Sequence, residues 1–482
     1  MSLKIQNTLT GKKEEFIPLN KPQVKMYVCG VTVYDSAHIG HARAAVAFDI
    51  VYRYLSFLGY DVCYVRNFTD VDDKIIQRAT EKGISCEALA SQYINEYFVE
   101  MDRLNVMNPA VQPLATEHIS EILEMVTGLM EKGMAYESDG DVFFEVNKFS
   151  SYGKLSGKAV EDLIAGSRVE VNKKKRHSED FALWKRSKLG EPAWESPWGQ
   201  GRPGWHIECS SMIMKHLGET IDIHGGGSDL IFPHHENEIA QSEGLSGHLF
   251  VKYWMHNGMI TVDQTKMSKS LGNIMSIGDL LNEYPARVIR YYLASKHYRS
   301  PIDFSDKTLN EAASALGRIE QCLVKIKNEL LDKWPEVSNT DKTQLPKGFI
   351  EAMNDDFNTS RALSEVFDIV SRINRGDLDN SALNDAVLSV ITMLDILGAE
   401  LNLERFGQGK ELVEIPADVD QAIKTLLKKM PNEKDINQWI GIRLEARKLK
   451  EWALADRIRD AFQLHGIVLR DSSDGTGWEK KG

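Results

Sequence analysis

The first 70 residues carry two short apolar runs separated by one stripe of apolar positions at helical spacing. A β-like run at 25–29 is followed by Gly30, which we expect to break it. Over residues 41–58 the apolar positions recur every three or four residues, as in an amphipathic helix: Ala45, Phe48, Val51, Tyr54, Leu55 and Leu58. A second strand-like run follows at 62–66. The order strand, helix, strand predicts a βαβ unit with a right-handed parallel crossover.

The same kind of pattern returns much later in the chain. Residues 221–224 form another strand-like run, and the glycines at 225–227 predict a tight turn after it. The intervening residues 115–203 look inserted, because two amphipathic segments give way to loops rich in Gly, Trp and Pro. Residues 306–403 predict long helices, with one apolar stripe: Leu309, Ala313, Leu316, Leu323, Ile326 and Leu330. The sequence therefore predicts an α/β fold that is followed by helices.

Composition narrows the class of protein. Hydrophobic residues make up 42% of the 482 residues, and no apolar run reaches the roughly 18 residues of a membrane helix. The first residues lack the apolar stretch of a signal peptide, so we expect a cytoplasmic protein without membrane contact. The net charge of −12 argues against general nucleic-acid coating but permits local basic patches. Five sparse cysteines do not form a disulfide framework, and we expect Cys63 in a buried strand and Cys322 in a helical core.

The tetrapeptide His-Ile-Gly-His at 38–41 lies where the first strand gives way to the helix. A helix N-terminus offers free N–H groups and a positive partial charge, which suits a phosphate. Gly40 leaves room for a nucleotide, and His38 and His41 are spaced so that both can donate to one anion. A pair of ordinary buried histidines remains the alternative for this string alone.

The pentapeptide Lys-Met-Ser-Lys-Ser at 266–270 is the second string with chemical content. Lys266 and Lys269 are three residues apart, each close to a serine, and Gly272 follows. This composition indicates a flexible cationic clamp for a polyphosphate. The two strings in this order favour nucleotide binding over two unrelated structural segments.

Both strings resemble the HIGH and KMSKS signatures of class I aminoacyl-tRNA synthetases. Three longer stretches resemble the cysteinyl-tRNA synthetase family: YVCGVTVYD at 27–35, GWHIECS at 204–210 and HGGGSDLIFPHHENE at 224–238. The resemblance implies that cysteine attacks the α-phosphate of ATP, which is bound with Mg²⁺, and is then transferred to the 3′-terminal adenosine of tRNA(Cys). It implies ATP binding by His38, Gly40, His41 and Lys269, and charge stabilisation by His38, His41, Lys266 and Lys269.

The resemblance also implies a division into domains. The expected architecture is a Rossmann-type doubly wound parallel sheet with an inserted connective domain, followed by an α-helical bundle and a small C-terminal anticodon-binding domain. The expected limits are 1–114 and 204–260 for the two halves of the Rossmann domain, 115–203 for the insert, 261–305 for the KMSKS loop and stem-contact region, 306–403 for the helical bundle, and 417–482 for the anticodon-binding domain.

Four residues next to these motifs form a candidate metal site. His234 and Glu238 are four residues apart and share one helix face, with Pro233 suited to the first helical position. Cys29 and Cys209 complete a set of donors acceptable to Zn²⁺. The residues alone leave buried structural cysteines as the alternative, whereas the resemblance implies all four as ligands of one zinc ion. Zinc prefers sulfur to oxygen, so we expect it to bind the substrate thiolate and to reject serine.

Six further residues are expected around this metal. The resemblance implies Gly30, Thr69 and Trp205 for the cysteine pocket. His206, His224 and His256 are predicted to lie near the metal, either as donors that orient its ligands or as hydrogen-bonded framework.

Contacts with tRNA are predicted in two places. The basic stretch 171–188 of the insert is either a solvated face or a contact with the acceptor end. A basic helix is predicted over 436–464, and the resemblance implies anticodon contacts there and in the tail by Arg447, Trp452, Asp456 and Asp471. Each of these is otherwise an exposed residue. We expect a monomer whose partners are tRNA(Cys), ATP and L-cysteine.

Two other functions remain open from the sequence. One is a related zinc-dependent cysteine ligase with a small-molecule amine acceptor, which the helical and basic C-terminal part disfavours. The other is a non-catalytic RNA-binding relative, which the two complete signatures disfavour.

Overall fold

The structure is a computed structural model of the chain. It describes residues 2–158, 173–262, 265–266, 275–330, 345–403, 436, 439–440, 442–443, 452–465, 467–472 and 475–480. The chain forms two compact units, one of residues 1–323 and 332–401 and the other of residues 324–331 and 402–482. Within the described ranges, no helix combines the length and the apolarity that crossing a bilayer requires.

The N-terminal part of the first unit contains the predicted strand–helix–strand motif. Its elements are β1 Lys4–Asn7, β2 Lys12–Glu15, β3 Gln23–Thr32, α1 Ile39–Phe57, β4 Asp61–Thr69, α2 Asp73–Lys82 and α3 Cys86–Arg103. Strands β3 and β4 pair in parallel, and α1 connects them. The apolar stripe of α1 is buried, which is the reason why this segment forms a crossover helix over the sheet.

The inserted segment folds into more regular structure than predicted. Its elements are α4 Ile119–Glu131, β5 Ala135–Ser138, β6 Asp141–Phe144, β7 Phe181–Arg186 and β8 Gly201–Pro203. The four strands form an antiparallel sheet in chain order. The predicted loop rich in Gly, Trp and Pro is present at 187–200. The four short strands were missed, because those around Trp184 and Phe144 bury large aromatic rings at positions that look irregular in sequence.

The chain then returns to the central sheet. Its elements are α5 Trp205–Leu217, β9 Ile221–Gly227, α6 Glu236–Ser246 and β10 Val251–Asn257. The parallel sheet has the order β10–β9–β3–β4, so the chain winds outwards in opposite directions from β3 and β9. In an open α/β sheet, the crevice at the carboxyl ends of two such strands is the place where ligands bind.

Two predicted strand ends were wrong. Gly30 lies inside β3, where the register shifts between Val28 and Val31, and does not end the strand. A Cβ atom there would come within 1.5 Å of the Asn67 carbonyl oxygen, so only glycine permits this approach of β3 to β4. The glycines 225–227 likewise belong to β9 rather than to a turn. A Cβ at Gly225 would meet the Phe48 ring of α1 at 2.2 Å, so close packing of helix on sheet requires this glycine.

The rest of the first unit follows the sheet. Its elements are β11 Ile260–Val262, β12 Thr265–Lys266, α7 Ile277–Glu283, α8 Ala286–Ala294, β13 Ile302–Phe304, α9 Asp306–Leu330, α10 Lys347–Asn354, α11 Thr359–Arg375 and α12 Asn380–Ile396. Residues 324–330 at the end of α9 are counted with the second unit. The long helices predicted for 306–403 are therefore present, and Cys322 is buried among them as predicted. Cys63 is exposed instead of buried, because it lies near the start of β4 at the edge of the sheet.

The described residues of the second unit contain α13 Trp452–Leu464, β14 Ile467–Ser472 and β15 Gly475–Lys480. The two strands form an antiparallel hairpin. Apolar residues of α13 pack with Ile436, Ile440, Ile442 and Ile467 in a core of their own. Helical residues occur before α13, but 444–451 lie outside the described residues, so the predicted single helix over 436–464 stays a prediction.

Candidate active site and metal centre

The first signature forms the N-terminal cap of α1. His38 is the N-cap residue, and its Nδ1 accepts the Gly40 amide hydrogen over 3.1 Å. His41 Nδ1 in turn accepts the His38 amide hydrogen over 3.2 Å, and the two rings stack with centroids 3.7 Å apart. Because each Nδ1 accepts a hydrogen, each ring carries its proton on Nε2. The signature thus holds two imidazoles side by side at a helix N-terminus.

A cavity of about 460 Å³ lies beside this helix end. Both histidines and Gly40 line it, together with residues at the ends of β3, β9 and β10. Three cations that the sequence analysis did not select also line it, namely Arg43, Arg66 and Lys74. Arg43 follows the first signature by two residues, which was the available signal. The other two become neighbours of the cavity only through the fold.

The second signature is described only at its start. The backbone of Lys266 lies in β12, which pairs with β11 at the edge of the same region. The side chain of Lys266 and the whole of Lys269 lie outside the described residues. Their predicted roles therefore stay predictions.

The four predicted metal ligands converge behind the cavity. One donor atom from each of Cys29, Cys209, His234 and Glu238 lies within 4.8 Å of the other three. Cys29 Sγ is 3.8 Å from Cys209 Sγ and 3.5 Å from Glu238 Oε1, and His234 Nε2 is 3.1 Å from Glu238 Oε1. Cys29 lies in β3 and Cys209 lies in α5. His234 lies in the helical turn just before α6, and Glu238 lies in the first turn of α6. Only tertiary structure brings them together.

The electrostatics of the cluster are those of a buried mixed-charge group. Burial raises the pKa of the Cys29 thiol, and the hydrogen bond from Cys29 lowers the pKa of Cys209 to about 6. Burial would lower the pKa of His234, but the Glu238 carboxylate raises it to about 10. Burial opposes ionisation of Glu238, yet His224 and His234 hold its pKa well below the usual range. These shifts favour a thiolate at Cys209 and a carboxylate at Glu238 but a protonated Cys29 and a protonated His234, so a cation that binds all four donors has to displace two protons.

Two of the three histidines predicted near the metal contact its predicted ligands, and the third reaches them through another histidine. His206 Nδ1 is 2.9 Å from His234 Nδ1, and His224 Nε2 is 2.8 Å from Glu238 Oε2. His256 contacts no predicted ligand directly, since its Nε2 bonds His235 Nδ1 over 2.8 Å. His235 Nε2 in turn lies 3.3 Å from Cys29 Sγ.

His235 is the residue that sequence reasoning missed here. A second group of four, in which His224 and His235 replace Cys209 and His234, also has its donor atoms within 4.8 Å of one another. Adjacent histidines in the string from 233 to 238 were the signal in the sequence. Two donor sets thus share Cys29 and Glu238.

The predicted cysteine pocket is brought together only in part. Gly30 and Trp205 line the cavity, and the Trp205 ring stacks on His234 with centroids 4.3 Å apart. Trp205 is 37% exposed, which is unusual for so large an apolar ring beside a buried cluster. Thr69 is not among the described residues that line the cavity. It is buried, and its hydroxyl donates to Glu208 Oε2 over 3.0 Å.

The basic stretch of the insert is largely paired with acids of the same chain. Lys174 lies 2.9 Å from Asp141, Arg176 lies 2.9 Å from Glu145, and Lys185 lies 2.6 Å from Asp73. These ion pairs fit the interpretation of a solvated face and leave contact with tRNA a prediction.

The predicted anticodon residues are described only through their backbone. Trp452 and Asp456 lie one turn apart on α13, and Asp471 lies in β14 opposite Thr476. Their side chains and all of Arg447 lie outside the described residues.

Comparison with known proteins identifies the family of the catalytic domain and the class of its fold. The family described as tRNA synthetases class I (C) catalytic domain matches residues 15–314, and the DALR domain matches residues 348–403. A solved methionyl-tRNA synthetase of Mycobacterium tuberculosis, in complex with methionyl-adenylate, covers 92% of this chain and 93% of its own at a TM-score of 0.52 and 16% identity. A putative arginyl-tRNA synthetase of Campylobacter jejuni has the same TM-score at 14% identity, over 79% of this chain and 94% of its own. The catalytic fold is that of the class I synthetases.

Sequence relatives identify the family within the class I synthetases. The chain is 49% identical to the cysteine–tRNA ligase of Geobacter sulfurreducens and 50% identical to that of Syntrophotalea carbinolica, each over 100% of both chains. It therefore belongs to the cysteine–tRNA ligase family.

Proposed function

We propose that this protein ligates L-cysteine to its cognate tRNA(Cys). Cysteine's carboxylate attacks the α-phosphate of ATP and releases pyrophosphate, and the terminal ribose hydroxyl of tRNA then attacks the acyl carbon of cysteinyl-adenylate. The observation that carries the proposal is full-length identity of about half to cysteine–tRNA ligases. Both steps depend on positioning and charge stabilisation rather than on a protein nucleophile.

The first signature holds the nucleotide in this proposal. The Nε2–H groups of His38 and His41 donate to phosphate oxygens, because both Nδ1 atoms are already occupied by backbone N–H groups. Gly40 keeps the approach to the helix end open. Lys266 and Lys269 neutralise the charge of the leaving pyrophosphate, and Mg²⁺ accompanies ATP.

The metal centre selects the amino acid in this proposal. Two thiols, an imidazole and a carboxylate in mutual reach fit Zn²⁺, and the two thiols favour the set with Cys209 and His234 over the set with His224 and His235. A bound Zn²⁺ would supply a thiophilic Lewis acid that attracts a substrate thiolate and discriminates against the hydroxyl of serine. His206 and His224 orient His234 and Glu238 by direct hydrogen bonds, and Trp205 closes the pocket over the ligands.

The remaining parts act on tRNA. We assign anticodon reading to the C-terminal residues Arg447, Trp452, Asp456 and Asp471, and the DALR match at 348–403 supports a helical tRNA-binding region before them. The predicted domain limits, the monomeric state and the cytoplasmic location belong to this proposal as well. ATP and tRNA as substrates support a cytoplasmic location.

Cysteine-dependent exchange of labelled pyrophosphate into ATP tests the first step. Charging of a tRNA with a GCA anticodon tests the second, and the same reaction with a small amine acceptor tests the alternative ligase. We expect exchange with cysteine but not with serine, followed by acylation of the tRNA. Exchange without tRNA charging but with consumption of the amine would contradict the tRNA ligase and support the alternative. Tight tRNA binding without any exchange would indicate a non-catalytic RNA-binding protein.

A further inference from the structure

Arg43 is a buried arginine on α1 that has no carboxylate partner among the described residues. It is 1% exposed, it lies five residues after His38, and it lines the nucleotide cavity. Its guanidinium donates to backbone carbonyls only, at Leu293, Lys296, His297 and Tyr298. A buried cation held by carbonyls alone is costly to stability, so a role beyond packing is expected for it.

These carbonyls belong to the end of α8 and to the loop that follows it. His297 O lies 2.7 Å and Tyr298 O 3.1 Å from Arg43 Nη2. Tyr298 O also accepts the amide hydrogen of Gly258 over 2.8 Å, and Gly258 lines the same cavity. One carbonyl thus links the helix of the first signature to the opposite wall of the cavity.

The same helix is tied to the chain that follows the second signature. The Ile39 amide donates to Met275 O over 3.2 Å, and the Ile277 amide donates to Ala37 O over 2.8 Å. Met275 comes five residues after Ser270 in the sequence. The segment from 275 to 298 therefore contacts α1 in two places. Backbone hydrogen bonds join it to the N-terminus of α1, and Arg43 joins it to α1 one turn later.

We propose that Arg43 is a positioning residue for ATP. Its forked guanidinium fixes the spacing between the helix end that carries His38 and His41, the segment after the second signature, and the Gly258–Met259 wall of the cavity. The inference rests on the proposed function and deepens it by naming what sets the width of the nucleotide site. Lysine does not reproduce this arrangement, because its ammonium places all its N–H donors on one nitrogen, whereas Arg43 reaches the Leu293 carbonyl of α8 from Nη1 and the carbonyls of the following loop from Nη2.

Three variants test the proposal. Arg43→Lys keeps the charge and loses the fork, and Arg43→Met loses both. Arg53→Lys is the matched control, because Arg53 lies on the same helix, pairs with Asp49 at 2.8 Å, and is not among the residues that line the cavity. We expect both Arg43 variants to raise the KM for ATP in pyrophosphate exchange about tenfold or more, since misplacement by about 1 Å costs on the order of 100-fold. The KM for cysteine should stay within about twofold.

Direct titration of ATP onto each variant, without cysteine, separates this inference from the proposed function. It reports Arg43's role even if cysteine proves not to be the substrate. Weaker ATP binding in the Arg43 variants and unchanged binding in Arg53→Lys support the proposal. Normal ATP affinity in folded Arg43→Lys, with only a lowered melting temperature, overturns it, because the arginine is then purely structural.

A fourth variant covers the case in which the Arg43 variants do not fold. A Cβ atom at Gly258 would lie 2.5 Å from the Ser300 carbonyl group and 2.6 Å from Arg299 O. Gly258→Ala therefore pushes the same wall away from the loop without touching Arg43. We expect the same selective loss of ATP affinity, and a folded Gly258→Ala protein with normal ATP affinity contradicts the proposed positioning.

Discussion

Glu100 offers a sharp test of the electrostatics around the active-site segment. This residue lies on α3, is 4% exposed, and packs against Gly278 in the first turn of α7. Burial, reinforced by the charge of Glu96, raises the pKa of the Glu100 carboxyl from 4.5 to about 7. The folded protein thus prefers the protonated acid, and Glu100→Gln should imitate that form at every pH.

The sign of the effect follows from linkage. A raised carboxyl pKa means that the folded state binds more protons than the unfolded state between pH 4.5 and about 7, so stability falls as the pH rises through this window. A shift of this size corresponds to about 3 kcal/mol at full ionisation. Solvent screening and structure in the unfolded state reduce it, so we expect about 2 kcal/mol. Because pH 5 already lies inside this window, Glu100→Gln should exceed the stability of the unaltered protein by a small part of this amount near pH 5 and by nearly all of it near pH 8.

Thermal unfolding of both proteins at pH 5.0, 6.5 and 8.0 measures this difference. We expect the melting temperature of Glu100→Gln to exceed that of the unaltered protein by a few degrees at pH 8.0 and by about a quarter of that at pH 5.0. Glu87→Gln is the matched control at an exposed position of the same helix, since Glu87 does not contribute to the shift at Glu100, and it should leave the pH dependence of the melting temperature unchanged. A difference for Glu100→Gln that is the same at pH 5.0 and 8.0 would refute the reasoning.

Four further predictions concern the function. Lys269→Ala should slow adenylate formation by about 100-fold or more at saturating cysteine, measured by rapid-quench exchange, and an unchanged rate excludes the lysine from charge stabilisation. Cys209→Ser should lose bound metal in elemental analysis, whereas His235→Gln should keep it at an affinity lowered by about 10- to 100-fold. Loss of metal in His235→Gln but not in Cys209→Ser would favour the second donor set. In the cobalt-substituted protein, cysteine but not serine should change the thiolate–cobalt absorption. Asp456→Ala should weaken tRNA charging by about 1–3 kcal/mol with normal exchange, and an unaltered ratio between cognate and anticodon-mutated tRNA marks it as a surface residue.

Local chemistry made several features predictable from sequence. The helix that begins after His38 was predictable because its apolar stripe and its polar cap lie within a few consecutive residues. The long helices after residue 306 were predictable for the same reason. The family resemblance rested on contiguous stretches, and the full-length identity to cysteine–tRNA ligases confirmed it. The prediction of strands failed in the insert, where short strands bury aromatic rings without a clear alternating pattern.

The sequence by itself determined the class of fold, the two signatures and the motifs that carry the candidate metal ligands, because each is encoded in neighbouring residues. Only the tertiary structure decided which residues meet. Cys29 and Cys209 are 180 residues apart, and the parallel pairing of β3 with β9, covered by α5 and α6, places them 3.8 Å from each other. The contact of His235 with Cys29, the place of Gly30 inside a strand and the four carbonyls around Arg43 were likewise out of reach of the sequence. Periodicity reports which face of an element is buried, whereas these contacts depend on how distant elements pack.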